Sequence, residues 1–223
     1  MSSFSQILRS FWDVPAVHPG WPESTPEVSL RDGTRIQLRP LRKSDGTLWE
    51  AFRREDRAIL QPVEPTAKSW TAANSSTAWR GGYKAMIDDA YLGRLLPLAT
   101  TVNSQFAGQV TMGNLQHGVV SEGWMGYWVS SRYRGRGVAT AAAALGVDHA
   151  FARVHLNRVT ATYLPGNEAS RTVLETVGFR REGYLKRALH IDGQWRDHYF
   201  VAINRDDYPT IAVQRLREKG RLL

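Results

Sequence analysis

The spacing of hydrophobic residues alternates along the chain between a strand period and a helical period, and this pattern predicts the order of its elements. Alternating positions predict strands at 35–41, 122–129 and 158–164, and two hairpins that turn at Asn103-Ser104 and at Asp192-Gly193. Helices are predicted after Ser44 or Asp45, at about 71–90 with a loosening at Gly81-Gly82, at about 137–153 and at 167–177. This mixed order of strand pairs and helices predicts an α+β fold with a mixed sheet.

The two ends of the chain depart from this pattern and divide the sequence into three parts. Apolar residues at positions 4, 7, 8, 11 and 12 form one face of a predicted helix with a single basic residue, Arg9. That composition favours docking on the chain's own domain or on a second subunit over binding a membrane. Four prolines within 13–26 predict an extended arm. We therefore predict a helix and arm at 1–34, the main domain at 35–205 and a helical tail at 206–223.

Composition narrows the class of protein. Of 223 residues, 42% are hydrophobic and eight are Trp, so the chain has the material for a folded core. Cys is absent and the six His form no HExxH motif, so we expect no disulfide and no metal site. There is no long apolar run and no signal-peptide pattern, so we expect a cytoplasmic protein. The net charge of +8 favours anionic partners such as nucleic acid, phosphorylated cofactors or ribosomal surfaces, or serves solubility alone.

The segment between the strand at 122–129 and the Ala-rich helix carries the clearest chemical signal. Arg132, Arg134 and Arg136 alternate there with Gly135 and Gly137. Glycines allow a ligand to approach the main chain, and the first N–H groups of a helix attract phosphate. The segment lacks the GK[ST] of a Walker loop and the third glycine of a dinucleotide-binding fingerprint. A basic surface turn and an RNA-binding tract are the alternatives to a phosphate site.

The residues Arg132-x-x-Gly135-x-Gly137 resemble the [QR]xxGx[GA] signature of the GNAT N-acetyltransferase superfamily. The stretch at 163–198 is similar to the RimJ/RimL-type ribosomal-protein N-terminal acetyltransferases, including the terminal "IDGQWRDH", and "LQPVEP" at 60–65 resembles their "LxPWEP" with Val63 in place of Trp. This resemblance covers about 35–205. It implies a mainly antiparallel, twisted sheet with splayed central strands, flanked by helices, and acetyl-CoA as the acetyl donor.

The resemblance also implies positions that contact the donor. The pyrophosphate would bind the turn and the helix start, and the pantetheine arm would lie along the end of the preceding strand, near a bulge at Gly126 and a main-chain N–H for the oxyanion near Tyr127. The expected donor-binding residues are Tyr127, Trp128, Val129, Arg132, Arg134, Gly135, Arg136, Gly137, Val138, Ala139, Asn167 and Ser170. From local sequence alone, Asn167 could equally be a helix cap.

Catalytic residues are harder to assign. Many relatives carry a Tyr as the acid that protonates the thiolate, where this chain has Leu174, so Ser170 is the expected substitute. The Glu that serves some relatives as base corresponds to Leu189, which leaves Glu64, Asp197, His190 and His198 as candidates. We favour Glu64, which lies between prolines in the segment expected to face the acceptor, and retain Asp197, which could instead form a cross-strand pair.

The absence of an obvious strong base bears on the acceptor. An α-amine has a pKa of about 7.7–8.0 and a lysine about 10.4, so far more of the α-amine is already neutral at pH 7. We therefore predict acetylation of a protein N-terminus, and the resemblance implies one that begins with Ala or Ser, such as that of a ribosomal protein. A small-molecule amine and a non-catalytic RNA- or ribosome-binding module are the alternatives. A weak ribosome or RNA association and a homodimer are further expectations, and no membrane partner is expected.

Overall fold

The computed structural model describes residues 20–223; the predicted N-terminal helix and the first part of the Pro-rich arm lie outside the described residues. Eight strands form one sheet: β1 Val28–Ser29, β2 Arg35–Pro40, β3 Leu95–Val102, β4 Gln105–Gln116, β5 Glu122–Val129, β6 Arg158–Tyr163, β7 Arg180–Ile191 and β8 Gln194–Asn204. The helices are α1 Gly46–Glu55, α2 Arg57–Leu60, α3 Trp70–Ala73, α4 Ser76–Tyr91, α5 Val138–Ala152, α6 Glu168–Val177 and α7 Ala212–Glu218.

The strands lie in the order β1-β2-β3-β4-β5-β6-β8-β7, and each neighbouring pair is antiparallel except β5 and β6. Both predicted hairpins form, with positive φ at Asn103, Ser104, Asp192 and Gly193. This backbone matches the right-handed twist of the flanking strands. The predicted α+β fold with a mainly antiparallel sheet is confirmed.

Neighbouring residues of a strand point to opposite faces of the sheet. Helices cover both of these faces. Leu98 belongs to the large core cluster that contains α5, whereas Ala99 belongs to a second cluster with Phe52 of α1 and Trp79 of α4. The small side chains of α5 allow the helix to approach the sheet closely, and the helix is buried as a result. At Gly146 the approach is so close that an added Cβ would lie 3.2 Å from Val110 of β4. Helices α6 and α7 pack beside α5.

One helical prediction was wrong in its break point. The region at 71–90 consists of α3 and α4, which are separated at Asn74 and Ser75, whereas Gly81 and Gly82 lie within a continuous helix. The break occurs at Ser75 because its hydroxyl accepts a hydrogen bond from the N–H of Ala78 at 3.3 Å and so caps α4.

The segments predicted to flank the main domain pack onto the same core. The carboxylate of Asp148 in α5 accepts hydrogen bonds from the N–H groups of Ala212 and Val213, at 2.7 and 2.9 Å, and so holds the start of α7. Further along, Leu222 forms a β-bridge with Leu30, next to β1. Residues 20–34 and 206–223 therefore share one hydrophobic core with the predicted domain.

Candidate active site

The central feature of the site is a gap between strands β5 and β6. These strands pair only from Glu122 to Trp124 and from Arg158 to Thr160, and then diverge. Within the described part of the chain, β5 from Met125 to Val129 has β4 on one side and no strand on the other. The gap therefore exposes main-chain groups to a narrow ligand. The bulge predicted at Gly126 is wrong, since the β4–β5 register is continuous there.

The open end of the gap leads to the Arg- and Gly-rich turn at the start of α5. Gly135 and Gly137 have φ of +73° and +88°, in the left-handed region that favours glycine. A Cβ at Gly135 would contact nothing within 4 Å, and one at Gly137 would meet only Leu30 at 3.8 Å. The N–H groups of the first turn of α5, at Val138, Ala139 and Thr140, have no partner within the helix. This geometry is suited to binding an anion.

Two of the three arginines in this turn already hold carboxylates. Arg132 donates to Glu55 at 2.8 Å, and Arg136 donates to Asp32 and to Thr34, both at 2.8 Å. The Arg136 guanidinium holds the pKa of the Asp32 carboxyl far below its ordinary value. Among residues 20–223, Arg134 forms no ion pair. The positive charge that the turn offers is therefore smaller than the sequence indicates, and the main-chain N–H groups are the features of the turn best suited to an anion.

A fixed contact beneath the turn sets its position. The buried carboxylate of Asp56, which follows α1, accepts a hydrogen bond from the N–H of Ser131 at 2.8 Å. The turn is therefore tied to α1 through Asp56 and through the Arg132–Glu55 pair.

A cavity of about 370 Å³ adjoins the turn on the side of the C-terminal segment. Its apolar floor includes Leu30, Leu216 and Leu222, and Arg31, Arg136 and Arg221 stand around it. Asp32 also lines the cavity and pairs with Arg136, so Arg31 and Arg221 supply its positive charge next to the turn.

Across the gap, the start of α6 brings Asn167 and Ser170 close to Tyr127 of β5. The side-chain oxygen of Asn167 accepts a hydrogen bond from the N–H of Ser170 at 3.2 Å, so Asn167 is a helix cap, as its local sequence allowed. The Tyr127 hydroxyl lies 3.1 Å from the Ser170 hydroxyl and 3.3 Å from the Ser170 carbonyl oxygen. Burial raises the pKa of Tyr127 to about 12, although a hydrogen bond with Ser170 lowers it. The sequence indicated a main-chain role for Tyr127 and gave no indication of this side-chain contact.

Glu64 lies on the opposite face of the sheet, in an ion pair. Both of its carboxylate oxygens accept hydrogen bonds from Arg53, whose guanidinium is also bound by Asn74. Three tryptophan rings surround that guanidinium at 5.2–5.3 Å, those of Trp49, Trp70 and Trp128. The Arg53 side chain is only 9% exposed. This geometry favours a role for Glu64 in holding Arg53 and argues against it as a base.

Asp197 is likewise engaged in structure. Strand β7 bulges between Leu185 and Leu189, and the Asp197 carboxylate accepts hydrogen bonds from the N–H of Arg187 at 2.7 Å and from the Tyr184 hydroxyl at 2.8 Å. These two bonds, that of Arg187 first, hold the pKa of Asp197 below its ordinary value. A carboxylate so engaged is a poor proton acceptor, which argues against Asp197 as the catalytic base.

The two candidate histidines, His190 and His198, lie in different environments. His198 is buried, and burial lowers its pKa; its Nδ1 lies 3.1 Å from the carbonyl oxygen of Arg196. His190 packs edge-on against the ring of Trp195.

The loop that carries Glu64 is joined to the tip of the β7–β8 hairpin. Pro65 forms a β-bridge with Ile191, and the N–H of Thr66 donates to the carbonyl of His190 at 3.0 Å. The N–H of Gly193 donates to the Thr66 hydroxyl at 2.7 Å. We call this junction, residues 61–66 with 190–193, the clasp. The clasp connects the α1–α3 side of the sheet to the tip of the β7–β8 hairpin.

Residues 20–223 show neither a membrane-spanning helix nor a cluster of metal-binding side chains. In that part of the chain there is no helix long and apolar enough to cross a membrane. The same residues contain no group of three or more His, Cys, Asp or Glu side chains that could hold a metal ion.

Known proteins resemble this chain over most of its length. Residues 35–180 match the acetyltransferase (GNAT) domain. The solved structure of Mycobacterium smegmatis RimJ in complex with CoA-disulfide is 42% identical, with a TM-score of 0.90, over 92% of this chain and 99% of that one. The ribosomal protein uS5-alanine N-acetyltransferase of Escherichia coli is 27% identical over 85% of this chain and 97% of its own length. The ribosomal-protein-S5-alanine acetyltransferase from Vibrio fischeri is 26% identical over 78% of this chain, with a TM-score of 0.70.

Proposed function

Since this chain belongs to the GNAT family of N-acetyltransferases, we propose that it transfers the acetyl group of acetyl-CoA to a protein N-terminus beginning with Ala or Ser, such as that of a ribosomal protein. The observation that carries this proposal is the gap between β5 and β6, which opens onto the Gly135–Gly137 turn. The similar proteins from M. smegmatis and E. coli support a thioester donor and a ribosomal-protein acceptor.

Donor binding would use main-chain groups at both ends of the gap. The N–H groups at Val138 and Ala139 would receive the pyrophosphate, with the helix dipole behind them. The open edge of β5 at Tyr127, Trp128 and Val129 would pair with the amides of the pantetheine arm, as a short strand would. The cations around the adjoining cavity, and Arg134, would add favourable charge for the phosphates.

The acceptor would approach from the face that carries Trp128 and the clasp. The clasp bridges that face, which favours a chain end or a small amine over a side chain in the middle of a folded surface. Three carboxylates lie nearby: Glu64 forms an ion pair with Arg53, Asp197 accepts hydrogen bonds from the main-chain N–H of Arg187 and the Tyr184 hydroxyl, and Asp192 accepts one from the Gln61 amide. Within residues 20–223, only Glu64 of these three has an ion-pair partner, so the preference for a protein N-terminus over a polyamine is supported by the similarity to the uS5-alanine N-acetyltransferase of E. coli rather than by charge.

The chemistry requires little from a strong base when the acceptor is an α-amine. The neutral amine attacks the thioester carbon, the carbonyl becomes an oxyanion, and a main-chain N–H near Tyr127 would stabilise it. The C–S bond then breaks, the sulfur leaves with the electron pair, and one proton moves from the nitrogen to the sulfur. The products are an amide and a thiol. Ser170 is the hydroxyl that we place on this proton path.

A thiol-release assay with acetyl-CoA tests the proposal. The acceptors are peptides beginning with Ala, Ser or Met, a matched peptide with a blocked N-terminus and one internal Lys, and spermidine. We expect the Ala and Ser peptides to react fastest, because the lysine amine is harder to deprotonate by about 2.5 pKa units, or about 3 kcal/mol. Equal rates on the blocked lysine peptide, or a preference for spermidine, would overturn the N-terminal assignment. The homodimer and ribosome association stay predictions.

A further inference from the structure

The hydroxyl of Tyr127 lies on the helical side of the gap, in contact with Ser170. Tyr127 has the same strand parity as Met125, which is buried in the core cluster, so its ring points toward α5 and α6. Its hydroxyl crosses to α6 and meets Ser170 at 3.1 Å. The contact lies beyond Trp124, where β5 and β6 have already diverged.

The proton on this tyrosine decides what Ser170 can do. The Tyr127 hydroxyl can donate to the Ser170 carbonyl oxygen at 3.3 Å and accept from the Ser170 hydroxyl, or it can donate to the Ser170 hydroxyl oxygen. In the first arrangement, the serine proton is held by the tyrosine. In the second, the serine proton is free to point into the gap. Because its pKa is raised to about 12, Tyr127 remains a neutral donor throughout the range in which α-amines react.

We infer that Tyr127 is a positioning residue whose hydroxyl donates a hydrogen bond to the Ser170 hydroxyl oxygen and thereby frees the serine proton for the departing thiolate. This inference rests on the proposed acetyl transfer at this site, and it does not depend on which amine accepts the acetyl group. Tyr127 enters the reaction through its side chain, which is separate from the main-chain role that the resemblance implies for β5.

The proton balance explains why neither residue needs to ionise. After attack, the tetrahedral intermediate carries a protonated nitrogen and a negative oxygen. As the C–S bond breaks, the Ser170 oxygen receives a proton that originates on the nitrogen and gives its own proton to the sulfur. The hydrogen bond from Tyr127 supports the serine oxygen while both transfers occur, and Tyr127 keeps its proton. One hydroxyl thus replaces a separate base and acid, which agrees with the engaged state of Glu64 and Asp197.

A Tyr127→Phe variant removes the hydroxyl and keeps the ring. We expect kcat to fall about tenfold, or about 1.4 kcal/mol, with little change in the acetyl-CoA Kd or in KM for the acceptor, because the bond acts during C–S cleavage. Tyr208→Phe is the matched control. The Tyr208 hydroxyl donates a hydrogen bond to the carbonyl oxygen of Gly178 at 2.9 Å, at the C-terminal end of α6 and far from the gap. We expect Tyr208→Phe to keep the wild-type kcat.

The decisive comparison combines Tyr127→Phe with Ser170→Ala, using whichever acceptor wild-type enzyme turns over fastest. If Tyr127 acts through Ser170, its loss costs little once the serine hydroxyl is gone, so the two effects are strongly non-additive. Equal losses from Tyr127→Phe in both backgrounds, or an unchanged kcat in a folded single variant, would overturn the inference. If spermidine or the lysine peptide reacts fastest in the acceptor panel, only the proposed acceptor is contradicted. The kcat values of the single and double variants are then compared with that acceptor, so the test of Tyr127 remains valid.

Discussion

Replacing Gly137 with Asp tests whether the start of α5 binds the donor's pyrophosphate. Gly137 caps α5 at φ +88°, and the space around its missing Cβ is open, so an aspartate fits sterically. Aspartate tolerates the left-handed region better than most residues, and the backbone cost is about 1 kcal/mol. In a chain of this length, that cost lowers Tm by about 2–4 °C. The variant therefore stays folded.

The effect on binding is larger than the effect on folding. A carboxylate about 5 Å from one phosphate charge is repelled by about 0.8 kcal/mol at the dielectric constant of water and about 3 kcal/mol at an effective dielectric constant of about 20. The new carboxylate would also accept hydrogen bonds from the first-turn N–H groups that the phosphate needs. We expect the Kd for acetyl-CoA to rise at least tenfold, measured by calorimetry.

Two controls isolate the phosphate term. Gly118→Asp places the same residue at φ +79° in open space, in the loop before β5 and at the other end of that strand from the turn. It should match the Tm change and leave the Kd unaltered. Acetyl-pantetheine, which lacks the pyrophosphate, should bind Gly137→Asp and wild type alike. An unchanged Kd for acetyl-CoA in folded Gly137→Asp, or an equal loss with acetyl-pantetheine, would refute the phosphate site.

Two further predictions concern charged groups outside the gap. Glu64→Gln leaves Arg53 buried without its counter-charge, so we expect a loss of about 3 kcal/mol in unfolding free energy and an unchanged pH–rate profile; a profile that shifts instead would restore Glu64 as the base. Burial lowers the pKa of His149, whose Nε2 lies 2.9 Å from the Gly20 carbonyl oxygen, so the unfolded chain binds more protons and stability falls as pH drops below about 6.5. His149→Gln should flatten the decline of Tm between pH 7 and 5.5, and an equal slope in both proteins would contradict this.

The local features of the fold could be predicted from sequence because short stretches determine them. Gly135 and Gly137 indicated the turn, and Asp192-Gly193 indicated the hairpin, since both depend on backbone conformations that few residues adopt. Gly81-Gly82 misled the prediction of the break because neither glycine caps a helix there, whereas Ser75 does.

The side-chain partners could not be predicted, because each joins elements that are distant in sequence. Glu64 looked like a free loop carboxylate until α1 placed Arg53 against it. Asp197 looked like a sheet residue or a base, and its bond to Arg187 depends on a bulge that the alternating pattern of β7 conceals. For Tyr127, the sequence did contain a signal. Tyr127 and the apolar Met125 are two residues apart in one strand, which indicates that both side chains lie on the helical face. The sequence does not indicate that Ser170 lies on the other side of the gap.

The bulge in β7 has a consequence for solubility. Strand β7 is twelve residues long and ends the sheet, so within the described chain its outer edge is unpaired except at the clasp, where Pro65 and Thr66 pair with Ile191 and His190. A long, regular edge of this kind is a template for strand pairing between molecules and thus for aggregation. The bulge interrupts the template and places Lys186 and Arg187 in its middle, and Asp197 holds it in place. The carboxylate that the sequence offered as a catalyst thus helps to keep one copy of the protein from adding its sheet to the next.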